Sequence, residues 1–132
     1  MDPIKLFCTP ALYKTWNYRY KLLEKAFGAV IREKLTNDDG SIHVAELSID
    51  GAIFHIHEEK VSAGEFNPQD TKGTTVLIGL VVPDVDLVIA NAIDAGAILV
   101  SPAESYDYGY RQGEVKDPFG HVWMIEMKIY LP

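Results

Sequence analysis

Cysteine and long apolar runs are both scarce in this sequence. Cys8 is the single cysteine, so no internal disulfide can form within the chain, and a small apolar thiol of this kind fits a reducing compartment. The longest apolar run, residues 76–82, is far too short to cross a bilayer, so we expect no membrane partner. Because the first residues show neither a basic nor an apolar segment, we expect no signal peptide and a cytoplasmic protein.

Positive charge is scarce as well. The chain has 12 lysines and arginines against 19 aspartates and glutamates, which gives a formal net charge of −7 at pH 7. Without a basic stripe the surface repels phosphates, so we expect no nucleic-acid partner. A length of 132 residues is enough for a sizeable core, and we expect a single domain over residues 1–132.

An internal repeat is the most informative feature that the sequence does contain. Residues 50–57 (DGAIFHIH) are echoed by residues 119–126 (FGHVWMIE), and residues 28–31 (GAVI) match residues 96–99 (GAIL). The offsets are 69 residues on the turn glycines (120 minus 51) and 68 residues for the other pair (96 minus 28). Two segments at nearly one offset predict two copies of one supersecondary module, with a site between them.

Hydrophobic periodicity predicts the same element order, β-α-β-β-β, in each half. The first helix shows one apolar face, because Trp16, Tyr20, Leu23 and Phe27 recur at helical spacing. In the first half we expect a strand at residues 4–8, a helix at 15–27, and strands at 29–34, 42–49 and 52–57. In the second half we expect a strand at residues 75–82, a helix at 83–95, and strands at 97–100, 113–116 and 121–127.

The boundaries between the halves follow from composition. Residues 59–74 are rich in Gly, Pro, Asn, Gln and Asp and have little periodicity, so they are predicted to form a linker. Connectors of this length in compact domains are often functional flaps. Module one then covers about residues 1–58 and module two about residues 75–132.

Three segments resemble one known family. They are the run Tyr108–Trp123, which contains Asp-Pro-Phe-Gly-His, the run Glu24–Ala29 after the first helix, and residues 43–47. In this order, and together with the repeat, they resemble the vicinal-oxygen-chelate superfamily (glyoxalase, bleomycin resistance protein, dioxygenase), and in particular its PhnB-like branch. The resemblance covers essentially the whole chain. It implies an α+β fold in which two βαβββ modules form a pair of half-barrels around a shared cavity.

The resemblance also implies four metal-ligand positions, one in the first and one in the last strand of each module. Metal-dependent glyoxalases place His and Glu there, which suit divalent ions. In this sequence Met124 and Leu77 stand at the two positions of module two, residues 4–7 offer no suitable donor, and only His55 could bind. We therefore expect no metal at the family position and no cofactor.

Strand alternation predicts which side chains of the last strands face the cavity. The side chains expected to pack beneath the helices are Phe54, Ile56, Trp123 and Ile125. The side chains expected to face the cavity are His55, His57, Met124 and Glu126. Two histidines and a carboxylate at one cavity suit acid–base catalysis, contact with a ligand or a displaced three-ligand metal site. The alternative is that His57 and Glu126 have no chemical role, and either form a hydrogen-bonded pair or lie at solvated strand ends. We predict that the two side chains do pair, in which case the carboxylate of Glu126 should raise the pKa of His57.

Arg111 and Tyr108 are further candidates for ligand binding. They lie in a tyrosine-rich segment, residues 106–111, that we expect to be a loop. Tyrosine gives a rigid amphipathic contact surface, and arginine can pair with a carboxylate or phosphate of a ligand. The alternative is a surface loop in which Arg111 pairs with Asp107 or Glu114. His121, which follows Gly120, is expected to brace a turn by bonding the backbone.

Three functions compete at this point. The first is a metal-free protein that binds a small organic ligand, in the manner of bleomycin resistance proteins, in clefts at a homodimer interface. The second is a small-molecule lyase, isomerase or dioxygenase-type enzyme that uses His55, His57 and Glu126 as acid–base groups or as a nonstandard metal site. The third is an interaction domain. Because this superfamily hosts several activities, the fold alone does not choose among them, and we favour the first.

Overall fold

The computed structural model describes residues 3–8 and 13–130, with the backbone alone for residues 13–18. The strands are β1 (Ile4–Cys8), β2 (Val30–Thr36), β3 (Ile42–Ile49), β4 (Ala52–Glu58), β5 (Ile78–Val81), β6 (Ile98–Tyr106), β7 (Tyr110–Lys116) and β8 (Val122–Lys128). The helices are α1 (Tyr13–Phe27), α2 (Pro68–Thr71) and α3 (Val85–Asp94), and a single 3₁₀ turn spans Val61–Ala63.

The described residues form two four-stranded sheets that share one topology. Sheet one has the order β1-β4-β3-β2 and sheet two the order β5-β8-β7-β6, so the first and last strands of each unit are neighbours. In both sheets this pair lies at one edge and is parallel, and the other pairs are antiparallel. Gly51 and Gly120 both adopt positive φ in the turn before the last strand, as the repeat predicts. The predicted α+β fold is confirmed.

One face of each sheet carries the core. The largest part of that core comes from Leu6, Cys8, Ala45, Leu47, Ile56, Val85, Ile89, Ala92, Val115, Trp123 and Ile125. The Trp123 ring lies 4.7 Å from the ring of Phe27 at the end of α1 and 6.3 Å from that of Phe54 in β4. Phe54 and Trp123 therefore lie on the same, helix-covered side, as strand alternation predicts. The side chain of Trp16 lies outside the described residues.

Strand lengths in the second half differ from the prediction. β6 continues to Tyr106 instead of ending at residue 100, and its pairing with β7 shifts between Ser101 and Glu104. The shift surrounds Pro102, which an edge strand tolerates because one side of it needs no hydrogen bonds. β7 begins at Tyr110, so Arg111 lies in a strand and not in the predicted loop.

A buried aspartate organises the turn between β7 and β8. Asp117 accepts hydrogen bonds from the backbone N of Phe119 (2.9 Å) and of His121 (3.0 Å) and from Trp123 Nε1 (2.9 Å). The ring of His121 bonds the Phe7 carbonyl of β1 at 2.9 Å, so this histidine contacts backbone as expected, but across the two modules. The turn therefore joins sheet two to sheet one.

The linker, residues 59–74, is folded onto that turn. Asn67 is fully buried and donates from its side chain to Glu59 (2.7 Å) and Asp70 (2.8 Å). The backbone N of Gln69 donates to the Phe119 carbonyl at 3.1 Å. Within the described residues, no helix is long and apolar enough to cross a membrane.

Candidate functional site

Each sheet has a second face, opposite its helix, on which the candidate residues lie; we call it the helix-free face. In sheet one, strand register places Lys5, His55 and Glu46 side by side across three strands. The next row on the same face is formed by Phe7, His57 and Val44. Sequence alternation correctly separates these side chains from the core, because neighbouring residues of a strand point to opposite faces.

The two histidines of sheet one have different partners. His55 Nε2 lies 3.1 Å from Glu46 Oε1, whereas His57 Nε2 is buried without a hydrogen-bond partner in the described part of the chain. Their rings are 5.6 Å apart, and the ring of Phe7 meets His57 edge-on at 6.3 Å. Burial, and then the positive charge of Lys5, lower the pKa of His57 below its usual 6.5. His57 is therefore neutral at neutral pH.

The helix-free face of sheet two carries a polar chain of contacts. Glu126 Oε2 accepts a hydrogen bond from Gln112 Nε2 at 2.8 Å, and Gln112 Oε1 accepts one from the hydroxyl of Tyr108. Tyr108 stacks on Tyr106 with ring centroids 5.2 Å apart. Among the described residues, the second carboxylate oxygen of Glu126 has no hydrogen-bond partner. Met124 lies one row away, between Gly79 of β5 and Glu114 of β7.

The predicted pair of His57 and Glu126 is not formed within the chain. The groups that influence the pKa of His57 are burial, Lys5, His55, Glu65 and His43, and Glu126 is not among them. The repeat does place both residues at equivalent positions, but this equivalence sets the neighbours within each sheet and not the distance between the sheets. The direction of the pKa shift is accordingly the one that burial gives, and not the raised value that a carboxylate would give.

Arg111 points away from this face. Its guanidinium bonds Asp86, in the first turn of α3, through two contacts of 2.7 Å, and it bonds Ser105 at 3.0 Å. This pairing lowers the pKa of Asp86. The arginine lies one residue from Gln112 in β7, so alternation puts it on the helix side. The surface ion pair that we considered as the alternative is present, with Asp86 as the partner instead of Asp107 or Glu114.

The residues at the family metal position do not fit a divalent ion. Met124 is paired with Gly79 of β5, which has no side-chain donor. Leu77, the residue that the sequence predicts at this position, lies just before β5 and is not part of the pair. In the described ranges, no three His, Cys, Asp or Glu side chains converge on a point that could hold a metal. A thioether and a glycine supply no hard or borderline donor.

Two cavities beside the linker were not anticipated from the sequence. One, of about 400 Å³, lies between β1 and the linker and is lined by Phe7, Phe66 and His121 among others. The other, of about 610 Å³, lies between the linker and the helix-free face of sheet two. Neither is lined by His57 or Glu126. No local sequence pattern marks these cavities, because they depend on where the linker docks.

With this geometry in place, comparison with known proteins becomes informative. Residues 20–125 match the sequence profile of the Glyoxalase/Bleomycin resistance protein/Dioxygenase superfamily. The chain belongs to this superfamily. The uncharacterized protein Mb0911c of Mycobacterium bovis is 36% identical over 104 residues, which are 76% of this chain and 68% of that protein. The uncharacterized protein Rv0887c of Mycobacterium tuberculosis is also 36% identical over 104 residues, but the match spans only 61% of its length.

Solved structures agree on the fold. The gene product At5g48480 from Arabidopsis thaliana superimposes with a TM-score of 0.72 at 24% identity, covering 95% of this chain and 96% of that chain. TioX from Micromonospora sp. ML1 gives a TM-score of 0.68 at 21% identity, covering 100% and 98% of the two chains. At these identities the likeness shows the fold alone.

Proposed function

We propose that this superfamily member binds a small organic ligand on its helix-free faces and does so without a metal at the family position. We assign it to the PhnB-like branch, on the Asp-Pro-Phe-Gly-His turn at residues 117–121. The site residues of this proposal are His55 and His57 on sheet one and Met124 and Glu126 on sheet two. Tyr108 contributes to the site through its hydrogen bond to Gln112, which in turn bonds Glu126. Arg111 is not part of the proposed site, because its side chain lies on the opposite face and pairs with Asp86.

One observation carries the proposal. His57 and Glu126 stand at equivalent positions of the two modules, and each keeps one polar atom without a hydrogen-bond partner among the described residues. Of these two atoms His57 Nε2 is the buried one, and a buried polar atom left unpaired costs about 1–3 kcal/mol, so a fold that needed only stability would place an apolar group at this position. A ligand that supplies the missing hydrogen bonds would recover that cost.

The test uses three probes that share one ring and differ in charge: benzoate, benzamide and benzylammonium. Protein NMR should show at least one of them shifting the signals of His57 or of residues 124–126. His57→Gln and Glu126→Gln should weaken that binding. Matched controls are His43→Gln, an exposed histidine paired with Glu58, and the exposed Asp94→Asn, which should leave it unchanged. If no probe perturbs these signals, or if the control variants weaken binding equally, the proposal is wrong.

A second candidate function is acid–base catalysis on a small molecule. It is favoured by the lowered pKa of His57, because a neutral imidazole at neutral pH can accept a proton. A suitable probe is phenylpyruvate in D₂O, whose methylene protons exchange with solvent when a base removes one of them. Exchange that the protein accelerates and that is lost in His57→Gln but kept in His43→Gln would favour catalysis. Equal exchange in all three proteins would rule it out for this probe.

A homodimer is part of the same proposal. A second copy that covered the helix-free faces would turn open sheet surfaces into clefts and would shield the outer strands β2 and β6. Large apolar side chains remain exposed on β2, with Val30 at 60% and Leu35 at 56% exposure. Such side chains are typical of a surface that another chain covers.

A further inference from the structure

We propose a second binding site, for an amphipathic organic anion, in the cavity of about 610 Å³ between the linker and sheet two. We call it the linker cavity. Its volume lies within the range of about 300–1,000 Å³ that small-molecule sites occupy. Its lining includes two cationic side chains, Lys72 of the linker and Lys116 of β7, and an apolar wall formed by Ile98, Val100 and Val122.

The charge in the linker cavity is opposite to that of the protein. Lys72 and Lys116 have no ion-pair partner among the described residues, although the chain as a whole carries a net charge of −7. Asp117 also lines the cavity, but its carboxylate is already bonded to two backbone N–H groups and to the Trp123 indole. The next carboxylate along β7 is Glu114, which does not line the cavity. Two lysines without an ion-pair partner, beside an aspartate whose carboxylate already accepts three hydrogen bonds, favour the binding of an anion.

The apolar wall adjoins the lysines directly. Strand register pairs Lys116 with Ile98 of β6 on one side and with Val122 of β8 on the other. Ile98 and Val100 are 60% and 50% exposed, which is unfavourable for apolar side chains unless something covers them. A ligand with a short hydrocarbon body would cover them while its charged end pairs with the lysines that line the cavity.

The linker side of the cavity is held in place before any ligand binds. Buried Asn67 ties the start of α2 to Glu59, and the backbone N of Gln69 is bonded to the Phe119 carbonyl. Lys72 follows α2 in a left-handed conformation, and its own N–H bonds back to the Gln69 carbonyl. Because this frame is rigid, binding requires little ordering of the chain.

The test is a calorimetric titration with octanoate at low ionic strength. The double variant Lys72→Gln/Lys116→Gln should weaken octanoate binding by roughly tenfold or more, since it removes two charge-assisted contacts. The control Lys21→Gln/Lys25→Gln makes the same change of net charge on exposed positions of α1 and should bind as the wild type does. Octanol, with a similar body and no charge, and octylammonium, with the opposite charge, should both bind more weakly than octanoate.

Several results would overturn this proposal. They are no octanoate binding to the wild type, equal binding of octanoate and octylammonium, or an equal loss of affinity in the control variant. The linker cavity contains neither His57 nor Glu126, so Glu126→Gln should leave octanoate binding unchanged. If that variant abolishes octanoate binding while the Lys72/Lys116 variant retains it, the anion binds at the site proposed above and not in the linker cavity.

Discussion

His57 shows how the environment of one residue determines its chemistry. Since burial and the neighbouring Lys5 both disfavour its charged form, we expect NMR titration to give a pKa below 6.5. Between that lowered pKa and 6.5 the unfolded chain binds more protons than the folded chain, so the free energy of unfolding should rise with pH across this window. Urea denaturation at a series of pH values measures it.

The control for this prediction is a variant that cannot titrate. In His57→Gln the free energy of unfolding should depend less on pH in the same window, whereas Asn91→Gln, a change at an exposed and non-titrating position of α3, should keep the wild-type slope. A measured His57 pKa above 6.5 would contradict the prediction. It would show that a carboxylate, and not burial, dominates around this ring.

Residue orientation could be predicted from the sequence only where strand boundaries were correct. Alternation in β4 and β8 placed Phe54 and Trp123 on the helix side and His57 on the other face. The sequence predicts a loop at Arg111, but β7 begins at Tyr110, so strand alternation directs the Arg111 side chain to Asp86 on α3 and away from the predicted ligand site. Contacts between modules, such as the His121 ring with the Phe7 carbonyl, depend on how the sheets pack and leave no local pattern.

At the scale of elements, the contact between the linker and the β7–β8 turn depends on Gly120. This glycine has φ of 94°, and a Cβ there would lie 2.7 Å from the backbone N of Gln69. We expect Gly120→Ala to destabilise the fold by about 1–3 kcal/mol, because both the backbone conformation and the close approach are unfavourable for alanine. Urea denaturation measures the change in the free energy of unfolding.

A matched control lies within the linker itself. Gly73 has no positive φ, and a Cβ built there would meet no atom within 4 Å, so Gly73→Ala should change the stability little. Equal effects of the two substitutions would contradict the role given to Gly120. The sequence marks Gly120 as a turn residue through Asp-Pro-Phe-Gly, but the partner that makes it sterically restricted lies about fifty residues away and is visible only in the fold.

At the scale of the whole molecule, the element order follows from hydrophobic periodicity and the fold class from the family resemblance together with the repeat, whereas the predicted pairing of His57 with Glu126 is wrong. The two sheets have identical strand order, yet His57 and Glu126 do not meet within one chain. A repeat predicts how each module is built, since the same sequence pattern forms the same strands. It contains no information on which helix-free faces come together, because that depends on the packing of whole modules and, in our proposal, on a second copy.

The last prediction concerns that second copy. If it covers the helix-free faces, sedimentation velocity at micromolar concentration should give about twice the chain mass of 14.7 kDa. Hydrogen exchange should then become slower with increasing protein concentration in the outer strands β2 and β6, because their unpaired backbone groups are shielded. The helix α3, which packs within its own chain, serves as the internal control and should exchange at a constant rate. A mass of one chain at these concentrations would leave both faces open, and any ligand would then have to bind to a single sheet.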